Sequence, residues 1–235
     1  MAVKEELQGA VAKILREQWT VRDGRVVPVP DDLGLGNDAV KFEATVLYAD
    51  MADSTKLVDS ETPQFAAEVY RCYLVCAARI VKANDGSITA YDGDRIMGVF
   101  IGDTKNTNAA KTALQINAAV IDIINPAISN QYPHSTYRLS HVIGIDTSPL
   151  FVARIGVRND NDLVWVGRAA NDAAKLSSIN EGNTVFITND VFSRLRKDVK
   201  YDGTNDALMW KPRLWSQMNK MNNMNIHSSA WKWAV

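Results

Sequence analysis

Cysteine, histidine and long apolar runs are all scarce in this chain. Two cysteines and three histidines among 235 residues leave too few soft ligands for a zinc site or a disulfide framework. Cys72 and Cys76 stand one helical turn apart in VYRCYLVCAARIV, which predicts two small apolar groups buried on one helix face. His134, His141 and His227 form no constellation with a nucleophile or a metal spacing, so hydrolase triads are unsupported and structural roles are expected. No apolar stretch approaches the roughly 20 residues needed to cross a bilayer. The formal net charge is -1 and no block of Lys and Arg exists, which argues against nucleic acid or membrane as partner. A small charged ligand with metal ions fits that balance better. The opening MAVKEELQGAVAKILREQW reads as an amphipathic helix and not as a signal peptide, so a soluble, cytoplasmic protein is expected.

What is present is a regular succession of elements. Residues 1–39 read as a helix followed by a Pro- and Gly-punctuated linker over the surface. A core domain is expected over 40–200, and a C-terminal extension over 201–235, rich in Asn and Met around SQMNKMNNMN and poorly determined by its pattern. The Trp residues of that extension are expected to pack on the core or on a partner subunit. KFEATVLYADM reads as a strand, and the Ser and Thr of the MADST loop after it could cap a helix. A helix is expected from Thr62 to Ala83, a hairpin around Asp92-Gly93, and a second helix from Thr107 to Ile128. RLSHVIGIDTS and PLFVARIGV read as two strands, GRAANDAAKLSSI as a helix from Gly167, and TVFIT as one more strand. The sum is an α+β fold, a ferredoxin-like palm whose mixed sheet carries helices on one face.

Two carboxylates stand out. Asp50 ends an apolar strand, and Asp94 lies in the hairpin that a ferredoxin-like order places beside it. Carboxylates brought that close repel unless a cation lies between them, and hard oxygen ligands suit Mg²⁺ or Mn²⁺. The loop Met51-Ala52-Asp53-Ser54-Thr55 follows directly, where backbone N–H groups and a helix start could cradle a triphosphate. On spacing alone, Asp50 as a helix cap and Asp94 as a turn residue is an equal alternative.

FEATVLYADMADSTKLVD and AYDGDRIMGVF resemble the two metal-binding segments of class III adenylate and guanylate cyclases, and VGRAANDAAKLSS resembles their transition-state segment. The resemblance spans roughly Lys41 to Thr188. It implies two metal ions, Mn²⁺ or Mg²⁺, held by Asp50, Asp94 and the carbonyl of Met51. It also implies that Asn171 orients the ribose and that Lys175 neutralises charge on the α-phosphate. The family usually has Arg at that last position, so Lys175 is a departure that Arg168 could compensate. A symmetric homodimer is implied, each active site shared between two chains. Palm enzymes that join two nucleotides and a degenerate, non-enzymatic nucleotide-binding cyclase domain are the rivals.

Where adenylate cyclases of this class read the purine with Lys and Asp, this chain has Ala90 and Val164, which cannot hydrogen-bond, and the guanine-reading pattern is absent too. Tyr48 shares a strand face with Asp50, and Arg95 offers only donors, which suits a pyrimidine carbonyl. With LYADMADSTKLVD, this combination resembles the pyrimidine cyclases of Pycsar antiphage systems. That resemblance implies UTP as substrate, with CTP second, and a cyclic product sensed by a separate effector. An adenylate or guanylate cyclase remains the alternative.

Overall fold

The computed structural model of the chain describes residues 2–216 and 224–235. Its centre is a long strand, β2 (Asp38–Met51). Val40, Phe42, Ala44, Val46 and Tyr48 point to one side of it, and Leu47, Ala49 and Met51 to the other. Both sides are apolar because both faces of the sheet are covered, which is why the segment reads as a nearly continuous hydrophobic run.

Helix α2 (Ser54–Ser60) and helix α3 (Pro63–Ala83) follow. Thr62 caps α3, its hydroxyl accepting from the Phe65 amide at 3.3 Å, with Pro63 at the first helical position, where no N–H is needed. The hairpin of β3 (Ser87–Asp92) and β4 (Arg95–Phe100) turns at Gly93, whose φ of 60° favours glycine. Helix α4 (Lys105–Ala119), a π-helical turn and α5 (Asn125–Gln131) continue the chain. The second expected helix is thus longer than Thr107–Ile128 and carries an irregular turn.

RLSHVIGIDTS and PLFVARIGV form one strand, not two: β5 runs from His141 to Val157. Pro149 is tolerated inside it because residues 146–150 lie between the segment paired with β7 and the segment paired with β6. Then come β6 (Asp160–Val166), α6 (Arg168–Ser177), β7 (Thr184–Thr188), the short helices α7 (Asn189–Ser193) and α8 (Lys197–Lys200), and β8 (Lys211–Trp215) with β9 (Met224–Ser229). The sheet order is β3-β4-β2-β5-β7-β9-β8, with β6 beside β5 and β1 (Thr20–Asp23) beside β2.

The α+β palm holds, with one correction of detail. Helices α3 and α4 cover the Leu47 face, whereas α6 packs its Ala169, Ala170 and Ala173 on the opposite, Val46 face. Its alanines and a glycine in the strand below allow that close contact. A Cβ on Gly144 would stand 2.1 Å from the Ala173 carbonyl oxygen.

Three further expectations change. Thr20–Asp23, just before the segment read as a surface linker, form β1 in parallel register with β2, and the linker itself buries Leu33. Cys72 is exposed and Cys76 only half-buried, because the buried stripe of α3 runs through Phe65, Val69, Tyr73, Ala77 and Val81, a different set of four-residue steps. The stretch from Tyr201 on, read as an appended extension, adds β8 and β9 to the same sheet. Trp210 is fully buried, its indole N–H donating to the Val199 carbonyl at 2.7 Å, and Trp233 packs against the α3–α4 core. Most of SQMNKMNNMN lies outside the described residues.

Candidate active site

Strand register brings the carboxylates together. Asp50 pairs with Arg95 across β2 and β4, so Asp94, one residue earlier in the hairpin turn, comes alongside Asp50. Burial, then the Asp94 charge, push the Asp50 carboxyl from its ordinary 3.8 up to about 6, against the opposing pull of Arg95. A pair that resists its own negative charge is a place where a cation is favoured. Among the described residues no group of three His, Cys, Asp or Glu side chains converges. Two carboxylates with backbone oxygen therefore fit Mg²⁺ or Mn²⁺, hard ions that keep water and phosphate oxygens in their sphere, and do not fit zinc.

The loop after Asp50 bends sharply. Asp53 takes the left-handed conformation at φ 58° and stands at the N-cap of α2 without a side-chain cap bond. Ser54 and Thr55, expected as caps, instead lie inside the first turn, whose amides have no intrahelical acceptor. The Ala52 amide is not available for a ligand, since it donates to the Ser140 carbonyl at 2.9 Å. A cleft of about 500 Å³ opens here, walled by Asp50, the loop to Lys56, and Ser177 and Asn180 at the end of α6. The sequence carried no signal for those last two, because only the packing of α6 over β5 brings them there.

Tyr48, Asp50 and Arg95 share one face of the sheet, as alternation and cross-strand pairing require. The Arg95 guanidinium lies 5.1 Å from the Tyr48 ring centroid and donates to Asp92 at 2.6 Å, while its Nε is buried with no partner. Burial raises the Tyr48 hydroxyl above its ordinary range. Ala90 packs with Tyr48 in the same apolar cluster.

Asn171 and Lys175 stand on the exposed side of α6 and do not wall the cleft beside Asp50. Arg168 is occupied elsewhere. Its guanidinium donates to the Thr147 carbonyl at 2.8 Å and to Asp190 at 2.5 Å, and lies 3.5 Å from the fully buried Asp146. It clamps α6 to β5 and α7.

Two of the three histidines pack within the fold. His141 is wholly buried, joins Asn117 through Nε2 at 3.1 Å, and is pushed by burial down to about 3, so it is neutral. His227 stacks on Phe192 with ring centroids 3.8 Å apart, and His134 is exposed.

Strand-end carboxylates on a palm-like sheet, beside a loop with open amides, are an arrangement that can hold divalent cations and phosphate oxygens. The chain belongs to the adenylate and guanylate cyclase catalytic domain family, which it matches over residues 39–220. It is 46% identical to the uridylate cyclase of Burkholderia cepacia over 237 residues, and 45% identical to that of Xanthomonas perforans over 236, each alignment covering 100% of both chains. Among solved structures it resembles the adenylyl cyclase CyaB from P. aeruginosa at a TM-score of 0.70 and 18% identity, covering 81% of this chain and 95% of that one. No helix among the described residues is long and apolar enough to cross a membrane.

Proposed function

We propose that this protein is a uridylate cyclase, closing UTP into its 3′,5′-cyclic monophosphate with release of pyrophosphate. The carrying observation is full-length similarity at 45–46% identity to two proteins named uridylate cyclase, joined to a site with no purine-reading side chain at Ala90 and Val164. In the reaction the ribose 3′-oxygen attacks the α-phosphorus. A new P–O bond forms there as the bond to the β-phosphate bridge breaks, and the hydroxyl proton is released. Divalent cations held by Asp50, Asp94 and the Met51 carbonyl would acidify the 3′-hydroxyl and neutralise the phosphates. Amides of the Asp53–Thr55 turn, with the Ser54 and Thr55 hydroxyls, would hold the triphosphate tail. Tyr48 shortens the base pocket, and Arg95 donates to a pyrimidine carbonyl.

Asn171 and Lys175 complete the reading as residues that serve the site of a second chain, Asn171 orienting the ribose and Lys175 neutralising the α-phosphate. Their exposure, away from the cleft of their own chain, supports a homodimer with shared sites. Arg168 is a positioning residue in this scheme, because its guanidinium is held by the Thr147 carbonyl, Asp190 and Asp146. We assign the cyclic product to signalling in antiviral defence in the cytoplasm, through a separate effector, with residues 40–200 as the catalytic domain. The test is incubation of the purified protein with each of the four triphosphates and Mn²⁺ or Mg²⁺, followed by mass identification of the product. Cyclic UMP from UTP is expected. Cyclic CMP as the dominant product, a dinucleotide, or no cyclic product would overturn the assignment.

A further inference from the structure

We propose that α1 (Ala2–Arg16) is a self-association element that pairs antiparallel with α1 of a second copy of this chain. Val3, Leu7, Val11, Ile14 and Leu15 run along one side of the helix and are 68, 60, 55, 58 and 79% exposed. The groove along that side is lined by residues of α1 alone. The body of the chain holds the helix by its C-terminal end, where the Asn37 amide group donates to the carbonyls of Ile14 and Glu17 at 2.9 and 2.6 Å. An isolated helix of 15 residues is marginal in water. Its stability therefore calls for something that covers the apolar side.

The charges select the occupant. In a heptad frame Leu7 and Ile14 take a positions, Val3 and Ala10 take d, and Glu6 and Lys13 both take g. In an antiparallel pair g positions face g positions. Glu6 then meets Lys13 of the second copy at one end, and the reciprocal pair forms at the other. A parallel pair sets each charge level with its own duplicate and aligns the two helix dipoles head to head. A lipid surface is the poorer occupant. The polar side mixes Glu5 and Glu6 with Lys4, Lys13 and Arg16, unlike the Lys- and Arg-rich side of helices that lie on anionic membranes. Antiparallel pairing of identical helices also requires a two-fold axis, the symmetry that a shared active site uses.

Hydrogen exchange on the full chain tests the pairing. In the wild type, α1 amides are protected in a concentration-dependent way. Leu7→Glu with Val11→Glu, both at exposed positions, speeds α1 exchange by about tenfold or more while the sheet amides are unchanged. Lys13→Glu weakens protection, and adding Glu6→Lys to it restores protection. For orientation, a single nitroxide is moved along α1 in a Cys72→Ser, Cys76→Ser background. The inter-copy distance is shortest near Gly9 and grows by about 3 Å per residue toward either end, twice the helical rise. A flat distance profile, protection that survives Leu7→Glu with Val11→Glu, or protection that appears only with phosphatidylglycerol vesicles would each sink the proposal.

Discussion

Replacing Asp50 by Asn should make the metal-free protein more stable while removing its response to metal. The Asp50 carboxyl sits at about 6 in the folded chain against an ordinary 3.8. A shift of about two pH units corresponds to roughly 3 kcal/mol for a fully desolvated group. Asp50 is only half-buried, so solvent screening reduces that to about 1–2 kcal/mol. Below about pH 4 both folded and unfolded chains carry the proton, and the group costs nothing. As the pH rises from 3.8 through 6, the unfolded chain releases its proton first, and the cost to folding grows until it is complete. At pH 7 in chelator, Asp50→Asn should therefore raise the melting temperature by roughly 3–6 °C for a chain of this size. At pH 4 it should change little. Mn²⁺ should stabilise the wild type and not the variant. Thermal unfolding followed by circular dichroism reads all of these values. Equal melting temperatures in chelator at pH 7, or equal stabilisation of both proteins by Mn²⁺, would refute the reading of Asp50 and Asp94 as a strained carboxylate pair that takes up a cation.

Mixing Asp50→Ala with Asn171→Ala subunits should regain about one working site per heterodimer, measured as cyclic product against either variant alone. No recovery from folded, dimeric variants would refute the shared site. Tyr48→Ala and Arg95→Ala should change the ratio of product from UTP and CTP more than they change the Mn²⁺ concentration needed for half-maximal rate; equal losses with every base would remove them as readers. Gly144→Ala should lower stability by about 1–3 kcal/mol through overpacking, since the new methyl meets the α6 backbone, and should depress activity further by displacing Asn171 and Lys175. Denaturant unfolding and product formation give the two numbers, and a neutral substitution would mean that α6 is free to shift.

The palm and the meeting of two carboxylates were legible in the sequence. An apolar strand ending in Asp50 and a Gly-turned hairpin carrying Asp94 are local patterns, and the ferredoxin-like order leaves them only one way to meet. Tyr48 was legible on the same grounds, because strand alternation commits every second residue to one face. Tertiary structure decided the remainder. Which stripe of α3 is buried depends on where the sheet lies, and so Cys72 is exposed and Cys76 only half-buried while Tyr73 is enclosed. The continuity of β5 through Pro149 depends on β6 and β7 leaving that stretch unpaired on the side away from β2. Arg168 read as a cation free for phosphate. Only the fold places it against the buried Asp146 and against Asp190, partners 22 residues away in either direction along the chain. Such partners are chosen by packing, which no local pattern encodes.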